Sequence, residues 1–73
     1  MLETSGLLCP LPVLKIRKRL AAMPSGEVLT VRADDPAARV DVPHFCAEQG
    51  HELIALTDEA SGAMVFRLRK GPA

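Results

Sequence analysis

The segment CPLPVLKIRKRL, residues 9–20, decides the expected fold, because it combines two prolines with a helical pattern of apolar side chains. Val13, Ile16 and Leu20 recur at helical spacing, which predicts a helix from Pro10 to about Met23. Lys15, Lys18 and Arg19 fall together on the opposite side of that helix. We therefore expect an amphipathic helix that packs one face on the core and turns a basic face to solvent.

The start of this helix carries the most informative residue of the chain, Cys9. Pro10 and Pro12 are tolerated in a first helical turn, where backbone amides have no partner within the helix. We expect them at the first and third helical positions, with Cys9 at the N-cap. A thiolate there faces the positive end of the helix dipole and the free amide of Leu11, an arrangement that lowers a cysteine pKa. Gly6 gives the preceding loop freedom to present the sulfur outward.

This spacing alone leaves two interpretations of Cys9 open. One is a reactive surface thiol, and the other is a small buried side chain that serves only packing. Two prolines within the next three positions favour the reactive thiol, because a core cysteine does not need so stiff a mount.

Upstream and downstream segments alternate between strand and helix patterns. After a turn at residues 24–26, residues 27–33 are rich in β-formers, and residues 52–58 and 63–70 form two further strands joined by a hairpin at 59–62. A short first strand is expected at the N-terminus. The order βαβαββ predicts an α+β fold, a two-layer α/β sandwich with two helices on one face of a four-stranded mixed sheet.

The second helix is expected to start at Asp34-Asp35-Pro36, an acidic cap followed by proline at the first helical position. It runs towards Gln49, and Gly50 supplies its stop. Pro43 interrupts the pattern, which predicts a kink or two short pieces, with Asp41 as the cap of the second piece.

The size and charge of the chain limit its function. Its 73 residues predict one domain, 1–73, whose core is too thin to enclose a large cofactor. The formal charge is zero, but residues 1–26 carry +3, residues 27–59 carry −6 and residues 60–73 carry +3. This uneven charge favours oriented docking on partners, whereas a dedicated nucleic-acid binder would be basic overall.

Cysteine content and hydropathy exclude further classes. Two cysteines, Cys9 and Cys46, are too few for a disulfide scaffold of this size, and the apolar runs are much shorter than a membrane span. The first residues resemble neither a secretory nor a lipoprotein signal. We therefore expect a cytoplasmic protein with a reduced thiol and no membrane association.

Several other residues were candidates for chemistry. Cys46, beside Phe45, is expected to be a buried core thiol. A zinc site made of His44, Cys46 and His51 with Cys9 is disfavoured, because these spacings match no standard ligand pattern. We therefore expect no metal and no organic cofactor.

Charged residues offer a second kind of candidate site. The basic run is either a solvated helix face or a docking patch for an acidic partner surface, and its members are Lys15, Arg17, Lys18 and Arg19, with help expected from Arg67, Arg69 and Lys70. Direct RNA binding is not expected, because Phe45 and Phe66, the only aromatic residues, are expected in the core. Asp34 and Asp35 are interpreted as caps or, alternatively, as residues beside the cysteine that recognise a partner.

The segment Cys9-Pro10-Leu11-Pro12 with the basic helix after it resembles the Cys-Pro-x-Pro signature of the TusA/SirA sulfur-carrier family. The likeness continues through residues 33–36, residues 41–46 and residues 50–53, and ends in the basic last strand, so it covers essentially the whole chain in order. Position 11 is acidic in many relatives that serve tRNA and position 14 is often methionine there, whereas this chain has Leu11 and Leu14. These two differences leave the pathway open.

This resemblance implies a function for Cys9 and a mounting role for Pro10 and Pro12. The family carries sulfur as a cysteine persulfide, which Cys9 would receive from a cysteine desulfurase or rhodanese-type donor and pass to an acceptor such as a DsrE-like protein. Relays of this kind lead to 2-thiouridine in tRNA, to sulfur oxidation or to molybdenum-cofactor supply. Lys15, Lys18, Arg19 and Asp35 are the residues expected to dock partners.

The sequence therefore supports one leading hypothesis and two rivals. The leading hypothesis is a monomeric sulfurtransferase that works as a persulfide carrier within a relay, not as a free-standing enzyme. The first rival is a regulatory or interaction module that uses the same fold to bind a partner protein. The second is a thiol-redox protein, which is disfavoured because no resolving cysteine lies near Cys9 in sequence.

Overall fold

The structure, a computed structural model, describes residues 1–72, so that Ala73 of the predicted domain lies outside the described residues. Its elements follow the predicted order βαβαββ. They are β1 (Leu2–Glu3), α1 (Leu11–Ala21), β2 (Val28–Ala33), α2 (Ala38–Gln49), β3 (Glu52–Asp58) and β4 (Met64–Arg69).

The four strands form one mixed sheet in the order β1-β2-β4-β3. β1 is parallel to β2, while β4 pairs antiparallel with both β2 and β3. The register of β3 on β4 shifts between Leu53 and Ala55, which marks a bulge in this edge strand. The predicted mixed sheet of four strands is confirmed.

Alternation along β4 explains why both helices cover the same face. Met64, Phe66 and Leu68 point into the core and are buried, whereas Arg67 and Arg69 are exposed on the other face. The helices add their own buried side chains to the same cluster, and these are Ile16 and Leu20 from α1 and Ala38, Val42, Phe45 and Cys46 from α2. One hydrophobic layer between sheet and helices therefore holds the molecule together.

Element boundaries depart from the sequence expectations at both helices. α1 ends at Ala21, two residues before the expected end. α2 begins at Ala38 instead of directly after Asp35, because residues 34–37 form a turn in which the Ala38 amide donates to the Asp35 carbonyl at 2.9 Å. Of the two outcomes expected at Pro43, a kink or two pieces, the division into two pieces is wrong, since α2 is a single helix through this proline.

Gly50 and Gly62 lie where they were predicted, at the end of a helix and in a hairpin turn, and each adopts a positive φ that other residues rarely tolerate. Gly50 closes α2 at φ 76°, and Gly62 lies in the turn between β3 and β4 at φ 93°. The turn is closed by the Glu59 amide, which donates to the Ala63 carbonyl at 2.8 Å.

Candidate functional site

Cys9 lies exposed in the loop that leads from β1 to α1. The loop starts at Thr4, whose side chain is almost fully buried and whose amide and hydroxyl both donate to the Arg32 carbonyl, at 2.8 and 2.7 Å. Of the two interpretations of Cys9, that of a buried packing residue is wrong, because the side chain is exposed. Its loop leaves the sheet from a fixed point beside β2.

Two aspartates from the turn after β2 hold the same loop. The Gly6 amide donates to Asp34 Oδ1 at 2.9 Å, and the Cys9 amide donates to Asp35 Oδ2 at 2.7 Å. The other oxygen of Asp35 accepts from the Ala37 amide at 3.1 Å. Asp35 therefore joins the cysteine loop to the turn before α2 and lies beside the cysteine, while the partner recognition predicted for it there stays a prediction.

The helix entrance differs from the expectation by one residue. Pro10, not Cys9, is the N-cap, and Pro12 occupies the second helical position instead of the third. The Leu11 amide, expected to be free, donates to the Leu8 carbonyl at 2.9 Å. Cys9 thus stands just outside the helix, and no first-turn amide of Leu11 is left to stabilise a thiolate. The Cys9–Pro10 peptide bond is cis.

The thiol of Cys9 is a hydrogen-bond donor. Its Sγ donates to Asp41 Oδ2 at 2.9 Å, so Asp41 is not the helix cap that its position in sequence suggested. This bond to Asp41, followed by partial desolvation and the negative charges of Asp41 and Asp35, raises the pKa of Cys9. The expectation of a lowered pKa is wrong, because the thiol donates to one carboxylate, lies near a second, and stands outside the helix whose first turn was expected to stabilise a thiolate.

An open groove of about 350 Å³ runs from Cys9 between the two helices. Its charged lining residues are Arg17, Asp41 and Glu48, and its other lining residues are Cys9, Pro10, Val13, Leu14, His44, Phe45 and Gln49. Leu8, Leu11 and Leu14 are large apolar side chains exposed close to Cys9 in sequence. The sulfur thus lies at the mouth of a cleft with an apolar neighbourhood, a setting that suits a protein partner.

Three cations of α1 line a different groove, of about 330 Å³, together with Leu2 and Ala22. They are Lys15, Lys18 and Arg19, and we name this set the α1 basic face. Arg17 does not belong to it, because Arg17 lines the cysteine groove. The residues of α1 therefore divide among three faces, towards the core, towards the cysteine groove and towards solvent as the α1 basic face.

The cations of the last strand do not extend the α1 basic face, although the sequence suggested that they would. Arg67 and Arg69 lie on the sheet face opposite the helices, and Arg69 pairs with Glu52 at 2.9 Å. The Lys70 ammonium donates to the Met23 carbonyl at 2.6 Å. The position of Arg67 and Arg69 follows from the alternation of β4, whereas Lys70 follows the strand and lies on the helix side, where it lines a groove with Arg17.

Cys46 lies on the buried face of α2, as predicted, and burial raises the pKa of its thiol. Phe45 and Phe66 are buried as well. Within residues 1–72, no group of three or more histidine, cysteine, aspartate and glutamate side chains is arranged to hold a metal ion. None of the helices described has the length and apolarity needed to cross a membrane.

Comparison of the sequence with known proteins identifies its family. A family model described as Sulfurtransferase TusA matches residues 1–70. The chain belongs to the TusA sulfurtransferase family.

Individual TusA relatives cover nearly the whole chain. The chain is 42% identical over 72 residues to a protein named Sulfur carrier protein TusA from Pseudomonas savastanoi pv. phaseolicola, covering 99% of this chain and 84% of the relative. It is also 42% identical over 69 residues to the TusA carrier of Pseudomonas entomophila, covering 94% of this chain and 85% of the relative. Family membership thus agrees with the resemblance seen in the sequence.

A solved structure agrees with the fold. The crystal structure of a SirA-like protein from Desulfitobacterium hafniense superimposes with a TM-score of 0.84, covering 96% of this chain and 95% of that one, at 24% sequence identity. This TusA-family chain therefore has the SirA-like fold, with two helices on a four-stranded mixed sheet.

Sequence reasoning singled out Cys9 and its prolines and offered a place beside the cysteine as one alternative for Asp34 and Asp35, but it missed the contact of Asp41 with the thiol. Asp34, Asp35 and Asp41 reach the cysteine loop from positions 26 to 32 residues away along the chain. Their sequence spacing gives no local signal of this convergence. The only available hint was their order, two aspartates after a strand and a third within the next helix, which the fold brings to one end of the sheet.

Proposed function

We propose that this chain is a persulfide carrier in a sulfur relay, with Cys9 as the residue that bears the transferred sulfur. The observation that carries the proposal is the exposed thiol, held in a fixed loop at the mouth of a groove, in a chain of the TusA family. Pro10 and Pro12 stiffen the entrance of α1, on which this loop ends.

The proposed reaction is a thiol–persulfide exchange in two steps. The sulfur of Cys9, as thiolate, attacks the outer sulfur of the donor persulfide; the donor S–S bond breaks, and the donor cysteine leaves with the electron pair and takes up a proton. Cys9 then carries an outer sulfur. In the second step an acceptor thiolate attacks this outer sulfur, and Cys9 is the leaving group. The exchange has no net oxidation or reduction, so it uses no redox cofactor.

The donor in this proposal is a cysteine desulfurase or a rhodanese, and the acceptor is a DsrE-like thiol protein. The destinations considered are tRNA 2-thiouridine synthesis, sulfur oxidation and molybdenum-cofactor supply. A carrier that depends on a free thiol needs a reducing compartment, so the proposal places the protein in the cytoplasm. It acts as a monomer and does not contact nucleic acid itself.

Mass spectrometry tests the carrier role directly. The protein is incubated with a cysteine desulfurase and L-cysteine, and the intact mass is measured before and after reduction. We expect a gain of one sulfur atom that a reductant removes, present in Cys46→Ala and absent in Cys9→Ser. Cys46→Ala is the matched control, because it removes the other thiol without adding a polar group to the core.

Two other results would overturn the proposal. No sulfur gain with either a desulfurase or a rhodanese as donor would favour an interaction module with the same fold. Loss of two hydrogen atoms with formation of an internal disulfide would favour the thiol-redox protein.

The α1 basic face is proposed as the surface that attracts the acidic surface of a donor or acceptor. Within residues 1–72 no salt bridge involves its three cations, whereas Arg32, Arg39 and Arg69 each pair with a carboxylate. Unpaired charge on one side of a protein accelerates association with an oppositely charged partner. Both oxygens of Asp35 already accept bonds from the chain's own amides, so for Asp35 we propose loop positioning in addition to docking.

Charge reversal tests this docking surface. Lys15→Glu with Lys18→Glu is expected to slow sulfur loading at low salt by about tenfold, since steering accounts for a factor of roughly 10 to 1,000 in association rates. The difference should disappear as salt screens the charges. Arg67→Glu with Arg69→Glu is the matched control, because both cations are exposed on the opposite sheet face and their reversal changes the net charge by the same amount. Equal slowing by this control would show that only net charge matters.

A further inference from the structure

The thiol of Cys9 contacts the carboxylate of Asp41, with 2.9 Å between sulfur and oxygen. Asp41 lies in the first turn of α2 and is partly buried, while Cys9 is exposed. No salt bridge to Asp41 is present in the part of the chain that the structure describes. Its negative charge is therefore not neutralised by any basic side chain of these residues, and the thiol is its hydrogen-bond donor.

The charges that face Cys9 come from three elements. The turn after β2 contributes Asp35, and α1 contributes Arg17, the cation of the groove. α2 contributes Asp41, His44 and Glu48, of which His44 and Glu48 contact each other at 3.3 Å. Arg17 lies seven residues beyond the Pro10 cap, about 10 Å along the helix at 1.5 Å per residue. The carboxylates of Asp41 and Asp35 are therefore the charged groups that dominate at the sulfur.

This arrangement disfavours the nucleophilic form of the cysteine. A thiolate at this place would lose its bond to Asp41 and stand beside two negative groups. The protonated thiol keeps the bond, but a thiol is neither a good nucleophile nor readily oxidised. A free carrier with this geometry holds its sulfur unreactive, whereas a carrier in a relay must react rapidly once a partner has docked.

We propose that Asp41 is a positioning residue that keeps Cys9 of the free carrier in its thiol form, and that the sulfur donor activates Cys9 by placing a lysine or arginine against the Asp41 carboxylate. This inference rests on the proposed carrier function and adds its regulation. The partner it requires has a cation beside its own reactive cysteine. The cysteine groove gives such a side chain access to Asp41, because Cys9 and Asp41 both line this open cleft.

The activation step balances without any further reagent. When the cation pairs with Asp41, the thiol loses its acceptor and its proton passes to water. The resulting thiolate attacks the outer sulfur of the donor persulfide, and the donor sulfur leaves with the electrons of the broken bond and takes a proton from water. Proton number and oxidation state are unchanged over the whole step.

The test is the pH profile of Cys9 alkylation by iodoacetamide, measured in the Cys46→Ala background so that only one thiol reports. Asp41→Asn keeps the shape of the side chain but removes its charge. We expect the midpoint of its profile to fall by about one pH unit, which is within the range of about 1 to 3 units for one close charge. The rate at pH 7 should rise by about threefold, because the tenfold gain in thiolate is partly offset by its weaker nucleophilicity.

Two further variants separate charge from structure. Asp41→Glu restores the carboxylate and should restore most of the high midpoint. Asp58→Asn is the control for loss of one acidic charge. Asp58 lies at the end of β3, pairs with Arg39 of α2 and does not contact Cys9. A midpoint that is the same in wild type and Asp41→Asn would overturn the proposal, and so would an equal fall in Asp58→Asn.

The partner cation is tested with a cysteine desulfurase whose own reactive cysteine is replaced by alanine. Saturating amounts should lower the midpoint of the wild-type carrier and leave that of Asp41→Asn unchanged. An equal shift in both carriers, or a shift in neither, would overturn activation by the partner. Sulfur loading with the intact desulfurase is followed in parallel by mass. Failure of that loading contradicts the carrier function, whereas the alkylation profiles report on Asp41 alone.

Discussion

The two cysteines of this protein both have raised pKa values, but for different reasons. Cys9 is exposed, and its pKa is raised first by a hydrogen bond to Asp41, then by partial desolvation and nearby negative charge. Cys46 is buried in the core on the inner face of α2, and its pKa is raised because burial penalises the charged form. The same direction of shift thus has a hydrogen bond as its main cause in one region and desolvation as its only cause in the other.

This difference shows which thiol can be regulated. The environment of Cys9 depends on a few polar side chains, so one substitution, added salt or a docked cation can change it. The environment of Cys46 consists of the packed core, and only opening of that core can change it. A pKa alone does not distinguish a working thiol from a structural one, whereas the cause of its shift does.

The largest expected difference is in chemical accessibility. A small domain with a stability of about 5 kcal/mol opens only about once in several thousand molecules, so alkylation of Cys46 should be slower in native buffer than in denaturant by a factor of roughly 10³ to 10⁴. Alkylation of Cys9, compared at one pH, should change much less. The two rates are separated by mass spectrometry of proteolytic peptides. Rapid native labelling of Cys46 would mean that the core opens locally.

The next difference concerns stability. Cys46→Ser places a hydroxyl among apolar side chains, and the free energy of unfolding should fall by about 1–3 kcal/mol. Cys9→Ser should leave it unchanged within error, because the site is exposed. Urea denaturation of both variants against wild type measures the comparison. A larger loss in Cys9→Ser would show that the cysteine loop stabilises the fold through its sulfur.

The pH dependence of stability gives a third comparison. Both thiols keep their protons to higher pH in the folded state than in the unfolded chain, so their contribution is complete below the unfolded pKa and falls as pH rises through it and towards the folded pKa. We expect the free energy of unfolding to decline from about pH 8.5 upward, where an unfolded cysteine ionises. Cys46→Ala should make this decline less steep. An identical slope in this variant would contradict the effect of burial.

The smallest expected difference is in the response to salt. Raising sodium chloride from 0.01 to 1 M shortens the Debye length from about 30 to about 3 Å, which screens the exposed carboxylates around Cys9. Its alkylation midpoint should therefore fall by a few tenths of a pH unit. The contribution of Cys46 to the pH dependence of unfolding should not respond, because burial is not screened. A salt-insensitive midpoint for Cys9 would assign its shift mainly to the hydrogen bond with Asp41.

The fold was largely predictable because its elements carry strong local patterns. Alternation in β4 separates Phe66 from Arg67, and the apolar spacing of α1 places Ile16 and Leu20 on one face. Gly50 marks the end of α2 in sequence and in structure. Each of these signals operates over a few neighbouring residues, which is the range over which sequence patterns are informative.

The errors concern choices that neighbouring residues do not determine. Two prolines spaced by one residue fit a first helical turn in more than one register, and the bond from the Leu11 amide to the Leu8 carbonyl selects the later one. The sequence Asp34-Asp35-Pro36 is typical of a helix start. Here both carboxylates turn to the cysteine loop and the helix begins later. Contacts across 26 to 32 residues, including that of Asp41, leave no trace in a local pattern.

The two borders of the sheet have a consequence for self-association. β1 has only two residues, and β3 is interrupted by its bulge between Leu53 and Ala55. Neither offers the long, flat row of unpaired amides and carbonyls on which a second chain could extend the sheet. The protein is therefore protected against fibre-like aggregation through its strands, although the side chains of Leu8, Leu11 and Leu14 are exposed near its cysteine. Self-association of the protein at high concentration should therefore involve the side chains of those leucines and should be reversible.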